Sequence, residues 1–184
     1  KRKNSIFFIG NFNHAPNVDG IEYFVNEIFP YLSNRLIEEH NIQLSLEIIG
    51  SNLPQSTERK ILESNQDIKY HGYVKDLNLC LSYAKLTIAP LRYGAGLKGK
   101  IITSLENGVP VIGSEIAFED IDIKQISDQI NFIVDKKEDY YSSVFELLTN
   151  KREWEKISSK SIDFVNKKYS IDSNKEIIKE IIYQ

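Results

Sequence analysis

The sequence predicts an α/β fold: a Rossmann-like, doubly wound parallel sheet of six strands, with helices on both faces and further helices at the C-terminus. The first observation behind this prediction is that short apolar runs alternate with helical patterns along the chain. Strands that alternate with helices favour a parallel sheet, because right-handed crossovers place the helices on its faces. The second is that 184 residues, 41% of them hydrophobic and 27% charged, suit one soluble globular domain over residues 1–184.

Six short apolar runs have the composition of buried strands, and they cover residues 5–10, 44–50, 68–74, 86–90, 109–113 and 131–134. Helical patterns predict helices over 18–29, 54–64 and 77–84, and a further helix that Gly108 ends. Asp76 is expected to cap the N-terminus of the helix over 77–84. Pro30 is expected to kink or end the first of these near Phe29, because proline has no N–H to donate. Three C-terminal helices are predicted over 138–149, 152–168 and 173–183.

Six strands suit the order 3-2-1-4-5-6, in which the topological switch lies between strands one and four. Ligands of such sheets bind outside the carboxyl ends of the strands at that switch. The two loops that meet there would be 10–17 and 91–100. The topology therefore predicts a ligand-binding crevice between these loops.

The loop 92–99 has the chemistry of an anion site. It packs three glycines and two cations, Arg92 and Lys98, into eight residues, and Lys100 follows directly. A helix opens at its end, where unpaired backbone N–H groups and the helix dipole both attract anions. Glycines let the backbone approach a phosphate closely. These features favour a phosphate site over a plain turn with solvated lysines.

The segment GAGLKG, residues 94–99, also matches the G-x-G-x-x-G fingerprint of dinucleotide sites, and Glu115 follows the next strand as an acidic ribose ligand would. That fingerprint normally lies directly after the first strand, whereas here it follows the fourth, with residues 91–93 intervening. The two lysines at the helix entrance suit a terminal or sugar diphosphate better. An NAD-type oxidoreductase domain remains an alternative, but a weaker one.

Composition excludes several classes of protein. The net charge of −3 gives no basic field for nucleic acid, and no apolar run approaches the roughly 20 residues of a membrane span. No signal peptide is recognisable, and Cys80 is the only cysteine, so a reducing compartment such as the cytoplasm is expected. His40, His71 and Cys80 have no metal-ligand spacing, so no metal is predicted. The sequence has no methionine, from which we expect the chain to be a piece of a longer protein.

Three segments of the sequence resemble a known family. The segment PLRYGAGLKGKIITSLENGVPVIGS is similar to the donor-binding half of a GT-B fold glycosyltransferase of the retaining, glycosyl transferases group 1 type. GNFNHAPNVDGIEYFVNEIFP and HGYVKDLNLCLSYAKLTIAPL resemble two further parts of the same domain, so that the resemblance covers about residues 5–135. It implies a domain that binds a nucleoside-diphosphate sugar, from which the enzyme moves the sugar to an acceptor hydroxyl.

The resemblance also implies site residues. Glu106 stands where the family has the second of two glutamates, which typically bonds the ribose hydroxyls. Lys98 stands in the place of the first glutamate, so the resemblance does not indicate which sugar the donor carries. The loop after the first strand lacks the arginine and lysine that the family often carries there. The predicted contacts are Arg92, Gly94, Ala95, Gly96, Leu97, Lys98 and Lys100 for the diphosphate, Glu106 for the ribose, Gly72, Tyr73 and Val74 for the nucleobase, and Asn11 and His14 as further donor-site candidates.

The catalytic residues stay unknown from the sequence. The partners implied are the nucleotide sugar, as donor substrate without any other cofactor, and a missing N-terminal domain of the same chain. Any peripheral association with a membrane would come only through that missing part, and the isolated domain is expected to be inactive. A non-catalytic nucleotide-binding module is the alternative. The Asp120-Ile-Asp122 match to the metal-binding D-x-D motif is interpreted as a solvated helix entrance.

Overall fold

A parallel sheet of five strands forms the centre of the protein in the computed structural model, which describes residues 4–96, 98–127 and 129–170. The order of the strands is β3-β2-β1-β4-β5, as predicted for a doubly wound sheet, and the switch lies between β1 and β4. The strands are β1 (Ser5–Ile9), β2 (Ser45–Ile49), β3 (Ile68–Tyr70), β4 (Leu86–Ala89) and β5 (Val111–Gly113).

Helices connect the strands, as the alternating pattern predicts. They are α1 (Ala15–Tyr23), α2 (Phe29–His40), α3 (Gln55–Ser64), α4 (Leu77–Tyr83), α5 (Gly99–Glu106), α6 (Lys137–Thr149) and α7 (Lys151–Tyr169). Two short 3₁₀ turns, Glu115–Phe118 and Ile123–Gln125, follow β5. The last predicted helix, 173–183, lies outside the described residues.

The central strand β1 fixes the register of the sheet. Phe8 is opposite Ile48 of β2 and Ile88 of β4, and these three side chains are almost fully buried in the main core. Phe7, on the other face of β1, packs in a smaller cluster with Val109. Both faces of the central strands are therefore covered, which explains why the strands are continuous apolar runs rather than alternating ones.

The prediction of a sixth strand over 131–134 is wrong. This stretch makes a single parallel bridge, Gly113 to Ile133, with one hydrogen bond on either side of it. The reason is the shortness of β5, which ends at Gly113, where the chain turns into a 3₁₀ helix capped by the Ser114 side chain. Among the residues that the structure describes, β5 therefore offers the stretch no strand position beyond Gly113 with which to pair.

The first helix begins earlier and the helical chain runs further than predicted. It begins at Ala15 instead of Val18. Of the two effects expected of Pro30, an end or a kink near Phe29, the end does not occur: the chain continues through a π-helical turn, Phe24–Ile28, into α2, which begins at Phe29. Pro30 has no N–H, but it lies in the first turn of α2, where a helical N–H is not needed. The π-helical turn before it, in which the N–H of Phe29 bonds the carbonyl of Phe24, accommodates the break in the ladder.

Two predicted helix ends are confirmed. The Asp76 carboxylate accepts a hydrogen bond of 2.9 Å from the N–H of Leu79 at the start of α4. Gly108 takes a left-handed conformation, φ +65°, directly after Asn107, the C-cap residue of α5. Among the residues that the structure describes, no helix combines the length and the apolar character that a membrane crossing requires.

Candidate functional site

A cleft of about 670 Å³ opens at the switch point, between the carboxyl ends of β1 and β4. The two predicted loops form its walls, with the first turns of α1 and α5 behind them. Its described lining comprises Ile9, Gly10, Asn11, His14, Pro16, Asn17, Leu77, Leu91, Tyr93, Gly94, Ala95, Lys98, Gly99, Lys100 and Thr103.

Close backbone packing brings the two loops together. A Cβ on Gly20 of α1 would lie 2.9 Å from the carbonyl oxygen of Pro90, so this glycine allows α1 to pack against the end of β4. A Cβ on Gly94 would lie 3.3 Å from Cγ of Pro16, and Gly94 has a φ of +120° that side chains rarely adopt. Side chains at these two positions would therefore clash or crowd where the two walls of the cleft approach each other.

Lys100 is the cation at the base of the cleft. Its Nζ donates a hydrogen bond of 2.6 Å to Oδ1 of Asn17 and lies 5.0 Å from the centre of the Phe8 ring. Burial lowers the pKa of Lys100 to about 8, and the nearby charge of Lys98 acts on it in the same direction. The lysine is thus a poorly solvated cation that an anionic ligand would stabilise.

Lys98 has a different environment from the one predicted. Its side chain is only 9% exposed, and its Nζ donates to the carbonyl oxygens of Gly94, at 3.4 Å, and of Gly96. The carboxylate of Glu119 lies 3.6 Å away. The Lys98 ammonium therefore bonds carbonyl groups within its own glycine loop. The residue nevertheless lines the cleft.

The described lining of the cleft carries positive charge, although the carboxylate of Glu119, which is not part of that lining, lies 3.6 Å from Nζ of Lys98. The described lining of the cleft includes Lys98 and Lys100 but no carboxylate, although the whole chain carries an excess of acidic residues. Two neighbouring cavities, of about 360 and 610 Å³, lie on the far side of the Arg92 loop, and both have carboxylates in their walls, among them Asp135. The switch-point cleft thus differs from its neighbours in having no carboxylate in its described lining.

Arg92 lies outside the described lining of this cleft and faces the two acidic cavities instead. Its Nε donates to Oδ2 of Asp19 at 2.8 Å, its Nη2 bonds Oδ1 of the same carboxylate, and its guanidinium covers the ring of Tyr23 at 5.1 Å. The bidentate pair with Asp19 raises the pKa of Arg92. The structure thus separates Arg92 from the two lysines with which the sequence grouped it.

The structure brings several other predicted residues to the cleft. Gly94 and Ala95 line it, as do Asn11 and His14 from the opposite loop. Gly96, with a φ of +80°, is exposed and outside the lining, and Leu97 is outside the described residues.

The predicted ribose and nucleobase residues lie beyond the cleft. Glu106 is exposed at the last position of α5, about one turn past Thr103, which lines the cleft. Gly72, Tyr73 and Val74 follow β3; Tyr73 is 75% exposed, and the Gly72 carbonyl accepts from the N–H of Gly50 at 2.9 Å.

Sequence reasoning missed Asn17 and Thr103. Asn17 belongs to the same loop-to-helix segment as the predicted Asn11 and His14, but its bond to Lys100 joins residues 83 positions apart, which no spacing reveals. Thr103 lies on the same side of α5 as Gly99, four residues on, and this helical periodicity could have identified it.

No cluster of His, Cys, Asp and Glu that could hold a metal ion occurs among residues 4–96, 98–127 and 129–170. In the D-x-D match, Asp120 has a left-handed φ of +68°, and the Asp122 carboxylate accepts a hydrogen bond of 2.6 Å from Gln125. Asp122 thus stands at the entrance of a 3₁₀ turn, in keeping with the interpretation from sequence.

The fold and the site define a class of protein: an α/β domain of Rossmann-like topology with a cleft at its switch point whose lining includes two lysines. The sequence profile of the glycosyl transferases group 1 family matches residues 3–150, and the chain belongs to this family. A search of curated proteins gives no match.

Solved structures of glycosyltransferases have the same fold, and the chain is a GT-B type domain. A mutant of S. aureus TarM, in complex with fondaparinux, alpha-GlcNAc-glycerol and UDP, is 17% identical with a TM-score of 0.77, and the match covers 100% of this chain and 36% of that one. Anabaena HepE in complex with UDP and glucose is 9% identical with a TM-score of 0.73, and the match covers 100% of this chain and 49% of that one. The pneumococcal O-GlcNAc transferase GtfA in complex with UDP and GlcNAc is 15% identical with a TM-score of 0.69, and the match covers 100% of this chain and 37% of that one. The chain thus spans less than half the length of each of these proteins.

Proposed function

We propose that this domain binds a nucleoside-diphosphate sugar as the donor of a glycosyl transfer, with the diphosphate in the switch-point cleft. The observation that carries the proposal is the sign of charge in that cleft: Lys98 and Lys100 lie at the start of α5, and the described lining holds no carboxylate. A helix N-terminus adds backbone N–H groups and a positive dipole end. Membership of a glycosyltransferase family supports the choice of a nucleotide sugar among possible anions.

The other predicted contacts follow from this placement. Gly94, Ala95, Gly96 and Leu97 would surround the diphosphate with their backbone. Thr103 and then Glu106 continue from Lys100 along α5, and Glu106 lies about 9 Å further along the helix axis. That distance suits a ribose next to the diphosphate, and the backbone of residues 72–74 would then meet the nucleobase.

The chemistry assigned to the site is the stabilisation of the leaving diphosphate. Departure of the sugar leaves negative charge on the phosphate oxygens, and fixed cations and N–H groups lower the energy of that state. Two lysines and a helix N-terminus can supply this charge, so the proposal requires no metal or other cofactor. The transfer would retain the anomeric configuration, as the resemblance of the sequence implies.

The acceptor would bind to a second domain. Support for this part of the proposal comes from the lengths of the similar structures, of which this chain spans 36 to 49%. UDP is present in each of those structures, which makes UDP the first nucleotide to test here. The described chain would bind the donor without transferring the sugar, because positioning of the acceptor is absent.

Isothermal titration calorimetry with UDP, GDP, NADH and pyrophosphate tests the proposal. Binding of UDP or GDP without NADH binding is expected. Replacing Lys98 and Lys100 together by alanine removes two charge-assisted contacts of about 1.5–3 kcal/mol each, so at least a tenfold loss of affinity is expected. An exposed pair, Lys124 and Lys151, replaced in the same way is the control. Unchanged affinity in a folded double variant would contradict the assignment, and NADH binding would favour the oxidoreductase alternative.

A further inference from the structure

We propose that Asn17 is a positioning residue of the cleft: its side-chain amide joins the two loops and holds the Lys100 ammonium where the diphosphate of the donor would bind. This inference rests on the proposed function for the identity of the anion. The link between Asn17 and Lys100 itself can be tested without any nucleotide.

The amide of Asn17 makes one bond to each loop. Its Nδ2 donates to the carbonyl oxygen of Asn11 at 2.7 Å, and its Oδ1 accepts from Nζ of Lys100 at 2.6 Å. A reversed amide would set a donor against the ammonium and an acceptor against the carbonyl, so only one orientation satisfies both partners. An aspartate lacks the donor that Asn11 requires, and an aliphatic residue lacks both groups.

Rigid surroundings hold this amide in place. Asn17 lies in the first turn of α1, where its N–H donates to the carbonyl of His14 at 2.9 Å. At the end of β1, a Cβ on Gly10 would lie 3.0 Å from Cγ and 3.2 Å from Cβ of Asn17. The absence of a side chain at Gly10 therefore allows the Asn17 side chain to pack against the strand and reach across the switch point.

The groups that face Lys100 leave its charge unbalanced. Phe8 of β1 contributes its ring, α1 contributes the neutral amide of Asn17, and the glycine loop contributes a second cation, Lys98. His14 and Tyr93 are the other titratable groups in the described lining. A carboxylate in the place of the Asn17 amide would neutralise Lys100 and repel phosphate oxygens. A neutral acceptor fixes the ammonium and leaves its charge for the ligand.

A direct test follows the titration of Lys100 by NMR in the ligand-free chain, with ¹³C-labelled lysine. The signal is assigned by its loss in Lys100→Met. Asn17→Asp is expected to raise the pKa of Lys100 by at least one unit from its low value, because a carboxylate then lies in hydrogen-bond range of Nζ. Asn13→Asp is the matched control: it adds the same charge to the same loop, at an exposed residue outside the described lining. Equal shifts in the two variants would overturn the proposed link.

A double-mutant cycle on binding then tests the role of this link. Asn17→Ala is expected to reduce the affinity for pyrophosphate and for UDP or GDP about tenfold in the wild-type background. In the Lys100→Met background the same change is expected to have less than a twofold effect. Asn17→Asp, which keeps the shape of the side chain, should also weaken binding and should shift the fall of affinity with pH to higher pH. Equal losses from Asn17→Ala in both backgrounds would show that Asn17 acts without Lys100, and would overturn the proposal.

The two proposals fail in different ways. If neither UDP, GDP nor pyrophosphate binds the wild-type chain, the proposed function fails, while the NMR titration still decides whether Asn17 holds Lys100. If the nucleotides bind and the titration shows no specific effect of Asn17→Asp, the positioning role fails and the proposed function stands. Circular dichroism of each variant establishes that it is folded before either result is interpreted.

Discussion

A Cβ atom on Gly50 would lie 1.6 Å from the carbonyl oxygen of Gly10. The ends of β1 and β2 meet at this point, where the N–H of Gly10 bonds the carbonyl of Ile49 at 3.0 Å. Gly50 also has a φ of +148°, which residues with side chains rarely adopt. The backbone at Gly10, where the first loop of the cleft begins, therefore has its position only because residue 50, directly after β2, is a glycine.

Gly50→Ala is accordingly expected to destabilise the fold by more than about 3 kcal/mol, because a backbone clash adds to the strained φ. Gly72→Ala is the comparison, since Gly72 has a φ of +64° but a Cβ added there would have no atom within 4 Å. Only the left-handed conformation is then penalised, at about 1–2 kcal/mol. Urea unfolding of both variants measures the difference, and similar losses of stability would contradict the steric argument.

Lys100→Met is expected to increase the free energy of unfolding by about 1–3 kcal/mol at pH 7 while it weakens diphosphate binding. The folded-state pKa of Lys100 is lowered from 10.5 to about 8, so the unfolded chain holds more protons between these values. The wild-type fold therefore gains stability as the pH rises from 8 towards 10.5. Below pH 8 the full cost of the buried charge is present.

Urea unfolding at about pH 7 and about pH 10 measures this effect, with Lys75→Met as the exposed control. The difference in stability between Lys100→Met and wild type should shrink at the higher pH. A difference that is absent at the lower pH, or that does not change with pH relative to the Lys75→Met control, would argue against a buried charge at Lys100.

Glu106→Gln is expected to weaken UDP or GDP binding more than pyrophosphate binding, if Glu106 contacts the ribose. The substitution keeps the shape of the side chain and removes its charged acceptor, which is worth about 1.5–3 kcal/mol in a hydrogen bond. Calorimetry with both ligands gives the comparison, and Glu63→Gln, an exposed change on α3, is the control. Equal weakening of both ligands would mean that Glu106 acts on the glycine loop and not on the sugar ring.

Arg92→Gln tests whether Arg92 contacts the diphosphate, as the sequence predicts, or lies outside the cleft, as in the structure. Because the guanidinium is paired with Asp19 and faces away from the cleft, a loss of UDP or GDP affinity below threefold is expected. The same calorimetry measures it, with Lys100→Gln beside it as the variant that should lose much more. A loss near tenfold for Arg92→Gln would show that the loop turns Arg92 into the cleft when the ligand binds.

The topology of the sheet was predictable because it follows from alternation and handedness, which short apolar runs reveal directly. Strand order, the position of the switch, the Asp76 cap and the left-handed Gly108 all follow from local patterns with few alternatives. The continuation of the helical chain past Pro30 was not predictable in this way. A proline is compatible with either an ending helix or a restarted one, and the π-helical turn before it buries Phe24 and Ile28 in a core that only the folded chain assembles.

The candidate site likewise has one part that local sequence patterns predict and another that depends on the folded chain. The sequence identified which loops meet, because topology decides that, and it identified Lys98 and Lys100 by their charge. It could not show where the side chains point. Lys98 bonds carbonyls of its own loop, Arg92 bonds a carboxylate on α1, and the amide of Asn17 crosses the switch point. Each of these depends on how the folded backbone places the partner groups, and the last two join segments far apart in the chain.

The two edges of the sheet are short. β3 on one side and β5 on the other are each three residues long, and the single bridge from Ile133 covers part of β5. Long, flat edge strands offer unpaired N–H and carbonyl groups to other chains and promote aggregation. With three residues on each edge, few such groups are left for intermolecular pairing. The shortness of β5, which prevents a sixth strand from forming, thus also limits the addition of foreign strands and disfavours fibre-like association.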